Sequence, residues 1–93
     1  MREKNIEQKL IRAVRQSGGL ALKFVSPGLA GVPDRLILFP KGRICFAEIK
    51  APGKTPRPLQ LRRFGQLRAL GFRVYVVDSE EKIGEMICEI QSS

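Results

Sequence analysis

Two acidic residues and a lysine occur at a spacing that could serve phosphate chemistry: Asp34, Glu48 and Lys50. Carboxylate oxygens are ligands that Mg²⁺ prefers, and a lysine ammonium can hold a phosphate oxygen or orient a water molecule. The chain has no histidine, which excludes Ser-His and Cys-His triads, histidine-ligated zinc and enzymes that use a histidine base. These residues therefore point to a divalent cation held by carboxylates.

A β-hairpin is predicted to bring the two carboxylates together. Apolar runs at 36–39 and 44–49 flank the segment Pro40-Lys41-Gly42. Proline suits the first central position of a type I turn, and the glycine that ends this three-residue loop can take the left-handed conformation. Such a loop pairs Phe39 with Arg43, and this pair sets the register of the whole hairpin.

Strand alternation gives this hairpin an apolar face with an acidic end. Counting back from the turn, Leu36 faces Phe46 and Asp34 faces Glu48, with Lys50 on the same side. Like charges opposite each other destabilise a sheet, so Asp34 opposite Glu48 breaks a local rule, and such breaks indicate functional sites. A divalent cation between the two carboxylates would remove the conflict.

The sequence around these residues resembles that of a known family. Pro33-Asp34 followed by Glu48-Ile49-Lys50 is similar to the PD-(D/E)xK nuclease signature, and the flanking stretches GVPDRL (31–36) and FAEIKAPG (46–53) resemble its virus-type replication-repair nuclease (VRR-NUC) branch. In its free-standing form, this resemblance implies an endonuclease that requires Mg²⁺ or Mn²⁺. It also implies a homodimer that acts on branched DNA such as four-way junctions.

The resemblance also implies further site residues. Ile49 would offer its backbone carbonyl to the metal. A glutamate on the first helix commonly approaches the metal site in this family, and Glu7 matches it in place and spacing. A glutamine on the helix after the Glu-x-Lys strand often reaches the active site, and Gln60 matches that residue. From the residues alone, Glu7 is nearly as well explained as a surface carboxylate paired with Lys4 or Arg12. Gln60 taken alone fits a helix-surface residue.

The order of elements predicts an α/β fold. We expect a helix at 3–17, strands at 20–25, 36–39 and 44–49, a helix at 58–70, a strand at 72–77 and a last helix after Ser79. A helical crossover lets the fourth strand lie parallel to the third. The predicted fold is a mixed sheet flanked by helices. It matches the restriction-endonuclease-like αβββαβ core of the PD-(D/E)xK superfamily, and this chain adds a C-terminal helix to that core.

The distribution of charge favours a polyanion partner. The net charge is +8, and residues 51–77 contain six basic side chains and no acid. Nucleic acid is the commonest partner of such a block, although a solvated basic surface is the alternative. The candidate contacts to a DNA backbone are Lys23, Arg35, Lys54, Arg57, Arg62 and Arg63.

Length and composition bound the remaining properties. The 93 residues predict one domain, 1–93, with a marginal core that dimerisation would help. No apolar run approaches the roughly 20 residues that cross a bilayer. We therefore expect no membrane association and a location in the cytoplasm of a bacterial host, with a bacterial, viral or prophage origin. Cys45 and Cys88 are expected to be buried thiols in a reducing compartment.

Two other functions fit part of the sequence. A non-catalytic basic nucleic-acid-binding module explains the charge and the size, but it leaves Asp34 opposite Glu48 unexplained. A structural or inhibitory protein with an inactive nuclease fold would have lost some of the core residues, and all of them are present here.

Overall fold

The helices and strands follow the order expected from the sequence. The computed structural model describes residues 2–92. Its elements are α1 (Glu3–Gln16), β1 (Leu20–Lys23), β2 (Arg35–Phe39), a 3₁₀ turn (Pro40–Gly42), β3 (Arg43–Ile49), α2 (Pro58–Ala69), β4 (Arg73–Val77) and α3 (Glu80–Gln91). Within residues 2–92, no helix is long and apolar enough to cross a membrane.

The four strands form one mixed sheet in the order β1-β2-β3-β4. β1 pairs with β2 and β2 with β3 in antiparallel fashion, whereas β4 lies parallel to β3. The parallel pair is reached through α2, because parallel neighbours need a crossover connection. The predicted α/β fold with a mixed sheet flanked by helices is confirmed.

The register of the β2–β3 hairpin is also confirmed. Phe39 pairs with Arg43, and Leu36 pairs with Phe46. Gly42 adopts a left-handed φ of +72°, as expected, but Lys41 also has a positive φ of 69°. Both central residues of a type I turn have a negative φ, and Lys41 would be the second of them. The expected turn type is therefore wrong, although the three-residue loop and its register are as predicted.

Strand alternation divides the core between the two faces of the sheet. On one face, α1 and α3 pack against side chains such as Ile37, Cys45 and Ile49. On the other face, Phe64 of α2 packs against Phe46. Side chains two residues apart on a strand share a face, so Glu48 lies on the same face as Phe46, which α2 covers.

Two expectations are corrected. β1 ends at Lys23, two residues earlier than predicted, because the Pro- and Gly-containing segment 26–31 turns the chain; the N–H of Phe24 nevertheless donates to the carbonyl of Asp34 at 2.8 Å. Cys45 is buried as expected, whereas Cys88 is exposed. Cys88 lies outside the row of α3 side chains that contact the core, since Met86 and Ile90 fill that row.

Candidate active site

The hairpin holds Asp34 and Glu48 side by side. β2 begins immediately after Asp34, and its first residue, Arg35, pairs with Ala47, which precedes Glu48 on β3. The backbone N–H of Asp34 donates to Oε1 of Glu48 at 3.2 Å, and the N–H of Ile49 donates to Oδ2 of Asp34 at 3.0 Å. The backbone of each strand end thus fixes the carboxylate of the other. The predicted juxtaposition of the two acids is confirmed.

Glu48 is a buried carboxylate with three polar partners. Its residue is only 2% exposed. Besides the Asp34 amide, Glu48 contacts Nε2 of Gln60 at 2.9 Å and Nζ of Lys50 at 3.1 Å, both through Oε2. Burial raises the pKa of Glu48, and the nearby charge of Asp34 raises it further, while Lys50 and Gln60 act in the opposite direction. Positive charge at this point would therefore stabilise the ionised pair.

The start of α2 orients Gln60. Pro58 occupies the first position of α2, where its missing N–H costs nothing, and Gln60 is two residues further on. Oε1 of Gln60 accepts a hydrogen bond from the backbone N–H of Arg57 at 2.9 Å. The amide nitrogen is then left to face Glu48. The sequence placed Gln60 at the site only through the family resemblance, and the structure brings it into direct contact with Glu48.

These side chains line a cavity of about 430 Å³. Its walls come from the hairpin, the 26–33 segment, the first turn of α2 and the first turn of α1. The lining residues are Glu3, Ala30, Gly31, Asp34, Glu48, Lys50, Arg57, Leu59 and Gln60. Glu3 was not among the sequence candidates, because the apolar periodicity of α1 identifies its buried side but not which end of the helix lies over the site.

Glu7 is engaged elsewhere. Its carboxylate accepts a hydrogen bond from Nη2 of Arg35 at 3.1 Å, and it is not among the residues that line the cavity. Arg35 also donates to the carbonyl of Ala21 at 3.3 Å. Strand alternation turns Arg35 away from Asp34 and toward α1, so in this conformation its guanidinium is held by protein groups. The roles of Glu7 at the metal and of Arg35 at DNA stay predictions.

The other basic candidates lie on the surface. Lys23, Lys54, Arg57 and Arg62 are exposed. Arg63 is half-buried, and its Nε donates to the carbonyl of Ala30 at 2.8 Å. Arg57 is the member of this set that also lines the cavity. A polyanion that enters the cavity would therefore meet Arg57 beside the carboxylates.

The donor set fits a hard divalent cation. Asp34 and Glu48 supply carboxylate oxygens from one side of the sheet, while the side chain of Ile49 is buried in the opposite core and leaves only its backbone for the site. Within residues 2–92, no group of three or more His, Cys, Asp or Glu side chains is arranged to hold a metal ion. Mg²⁺ commonly binds through one or two carboxylates and retained water molecules, so a two-carboxylate set suits it.

Comparisons with known proteins agree with this geometry. No protein-family model matches the chain. The chain is 54% identical over 81 residues, 87% of each sequence, to "Putative nuclease p44" of Acyrthosiphon pisum secondary endosymbiont phage 1. A solved structure described as a VRR_NUC domain superposes with a TM-score of 0.86 and 32% identity, and the match covers 91% of this chain and 92% of that one. Both similarities extend over most of the chain and include the hairpin that carries Asp34 and Glu48, so the chain belongs to the VRR-NUC family of nucleases.

Proposed function

We propose that the protein is a metal-dependent endonuclease that hydrolyses phosphodiester bonds in DNA. The observation that carries this proposal is the convergence of Asp34, Glu48, Lys50 and Gln60 on one solvent-open cavity. A basic module that only binds nucleic acid needs no buried carboxylate beside a second acid. The cost of burying Glu48 is accounted for if the pair has a cation to hold.

Asp34 and Glu48 would hold Mg²⁺ or Mn²⁺, with the backbone carbonyl of Ile49 as a further ligand. When bound, the cation supplies positive charge at the attacked phosphate and makes a nearby water molecule more acidic. Gln60 keeps the Glu48 carboxylate in one orientation through its hydrogen bond at 2.9 Å. Glu7 would join these ligands only if its ion pair with Arg35 opened.

Lys50 is the cationic partner in this chemistry. Its ammonium lies 3.1 Å from Glu48 and lines the same cavity. From there it can hold a phosphate oxygen as a point charge or orient the attacking water molecule. Either role stabilises charge that develops on the phosphate as the bond breaks.

DNA would be held through its backbone. We assign these contacts to basic residues near and beyond the cavity, four of them exposed and the last half-buried: Lys23, Lys54, Arg57, Arg62 and Arg63. Contacts of this kind give affinity and orientation without reading sequence. Arg35 would contribute if it were released from Glu7.

The substrate and the assembly follow from the family resemblance. We propose that residues 1–93 form one nuclease domain that acts as a homodimer on branched DNA such as four-way junctions, in the cytoplasm of a bacterial host. A two-fold dimer presents two equivalent sites, which suits a junction with two symmetry-related strands to cut.

Cleavage assays with matched variants test the proposal. Labelled linear, flap and four-way-junction DNA is incubated with each protein in Mg²⁺, Mn²⁺ or EDTA. We expect cleavage by the parent with either metal and none in EDTA, and we expect Asp34→Asn and Glu48→Gln to bind DNA but not to cut it. The control is Glu85→Gln, which makes the same change on the exposed side of α3 and should cut like the parent.

Two results would contradict the proposed chemistry. One is cleavage by the parent that persists in EDTA. The other is a Glu48→Gln protein that loses binding and cleavage to the same extent, because the carboxylates would then support the surface rather than the reaction. Binding without cleavage by the parent on every substrate would favour the non-catalytic basic module.

A further inference from the structure

The outer side of α1 carries a row of positive charge. Ile6, Leu10 and Val14 form the buried side of this helix. On the opposite side, four exposed residues follow one another at intervals of three or four, a spacing that places them on one face of a helix. The four, which we call the α1 stripe, are Lys4, Gln8, Arg12 and Arg15. Three of them are basic and none is acidic.

The acids of the protein do not neutralise this charge. Among the ion pairs that join residues 2–92, none includes a member of the α1 stripe. Glu7 of the same helix pairs with Arg35, and Glu80 of the neighbouring α3 pairs with Lys9. The α1 stripe therefore presents its cations to solvent.

The dipole of α1 does not explain where these cations lie. Positive charge is favourable near the carboxyl end of a helix, so Arg15 in the last turn has a local reason. Lys4, however, lies in the first turn, where positive charge is unfavourable, and Arg12 and Arg15 are like charges on neighbouring positions. A helix that keeps charges against its own local preference indicates a partner outside the chain.

The α1 stripe starts at the catalytic cavity and runs away from it. Glu3, the first residue of α1, lines the cavity. The helix ends beside the hairpin turn at the other end of the sheet, where an added Cβ on Gly18 would lie 3.4 Å from Pro40. From Lys4 to Arg15 the stripe spans roughly 16 Å. One strand of a DNA duplex presents roughly five phosphate groups over that length.

The partner that this chemistry fits is the phosphate backbone of DNA. Gln8, Ile11, Arg12 and Arg15 line a concave surface of about 430 Å³ on the outside of the helix. Guanidinium groups bind phosphate oxygens through paired hydrogen bonds, and the glutamine amide can donate one more. A nuclease already holds DNA at its cavity, so the backbone reaches this surface without any additional molecule. An acidic protein is the other class of partner for such a stripe, and it would have to be a further molecule.

The α1 stripe lies on the opposite side of the molecule from the α2 residues assigned to DNA. α1 packs on one face of the sheet and α2 on the other. Arg57 and Arg62 lie at the start and in the middle of α2. A straight duplex along α2 reaches the α1 stripe only if it bends sharply at the cavity, and bending a short duplex costs free energy. Branched DNA has a second arm that leaves the branch point in another direction.

We propose that the α1 stripe binds the backbone of a second duplex arm of branched DNA, while the first arm lies along α2 with the phosphate to be cut in the cavity. This proposal rests on the proposed nuclease function and names the surface that distinguishes branched from linear DNA. Because its contacts are to phosphate groups, the second arm is held whatever its sequence.

DNA binding without metal tests this proposal separately from cleavage. Fluorescence anisotropy in EDTA measures the dissociation constants of a four-way junction and of a linear duplex as long as two of its arms, over a range of salt concentrations. The test variant is Arg12→Gln/Arg15→Gln. The control is Arg73→Gln/Lys82→Gln, which removes the same charge from exposed residues of β4 and α3 outside both surfaces assigned to DNA.

The test variant should bind the junction roughly 10- to 100-fold more weakly than the parent at about 0.1 M salt. The slope of log affinity for the junction against log salt should fall by about 1.8, since two contacts of about 0.9 each are lost. Affinity for the linear duplex should fall by at most about twofold, because that duplex can still bind along α2 without regard to sequence. The control should bind both DNAs like the parent.

Three results would overturn the proposal. Equal weakening on both DNAs would place the α1 stripe under the same duplex as the cavity, and equal weakening by the control would reduce the effect to net charge. An unchanged affinity for the junction would leave the stripe to solvent or to an acidic protein.

Circular dichroism checks that each variant is folded. If the test variant is not folded, Arg12→Gln alone replaces it, with an expected fall in slope of about 0.9, and an unchanged slope overturns the proposal in the same way. A parent that fails to cut DNA, while the junction alone loses affinity in the test variant, refutes the proposed chemistry and leaves this surface standing. The two failures are therefore distinguishable.

Discussion

The ion pair between Lys50 and Glu48 should stabilise the folded protein in a way that depends on both partners. The Lys50 ammonium lies 3.1 Å from Glu48, whose side chain is 2% exposed, while that of Lys50 is 18% exposed. Lys50→Met removes the charge and keeps most of the hydrocarbon stem. The buried carboxylate then loses its cationic partner but keeps its hydrogen bonds from Gln60 and from the Asp34 amide.

The size of the effect follows from the distance and the burial. At 3.1 Å the attraction between unit charges is about 5 kcal/mol with an effective dielectric constant of about 20. Most of this is offset by desolvation and by the hydrogen bonds that remain, so we expect a net loss of about 2 kcal/mol, typical of a hydrogen bond to a charged group. In a Glu48→Gln background the same change should cost under about 0.5 kcal/mol.

A double-mutant cycle measures this coupling. Urea unfolding in EDTA gives the free energy of unfolding for the parent, Lys50→Met, Glu48→Gln and the double variant. A loss of about 2 kcal/mol corresponds to a fall of about 8–16 °C in the melting temperature of a domain of this size. The control is Lys82→Met, which breaks the ion pair between exposed Lys82 and half-buried Asp78 at 3.0 Å and should cost at most about 0.5 kcal/mol. Equal losses from Lys50→Met in both backgrounds would refute the buried ion pair.

Three further predictions concern a loop glycine, the two thiols and one arginine. Gly31 has a φ of +85°, and an added Cβ would lie 3.0 Å from Leu59, so Gly31→Ala should lower the free energy of unfolding by about 1–3 kcal/mol. An added Cβ at Gly28 would meet no atom within 4 Å among residues 2–92 beyond its chain neighbours, so Gly28→Ala should change the free energy of unfolding by less than about 0.5 kcal/mol; equal losses from the two substitutions in urea unfolding would contradict this. A thiol reagent should label exposed Cys88 in the native protein and Cys45 only after unfolding, because burial raises the pKa of Cys45 to about 12; two rapidly reacting native thiols would be inconsistent with that burial. Arg57→Ala should reduce the slope of log affinity for DNA against log salt by about 0.9, and an unchanged slope would remove Arg57 from the phosphate contacts.

The hairpin was predictable because its information is local. A three-residue loop with glycine at its end fixes which residues pair, and the period of two then decides which side each one faces. Asp34 and Glu48 could therefore be placed together without knowledge of any helix. The left-handed Lys41 was missed, because a long side chain at positive φ is uncommon and nothing local indicates it.

The contributions of the helices were harder to predict because they depend on docking. The apolar stripe of α1 identifies its buried side, but where α1 lies along the sheet is set by packing against α3 and β1, which the periodicity does not encode. As a result, Glu3 lines the cavity although the sequence did not indicate it, while Glu7, which the resemblance placed near the metal, pairs with Arg35. For Arg35 the signal was present, since alternation that turns Asp34 toward the site must turn its neighbour away.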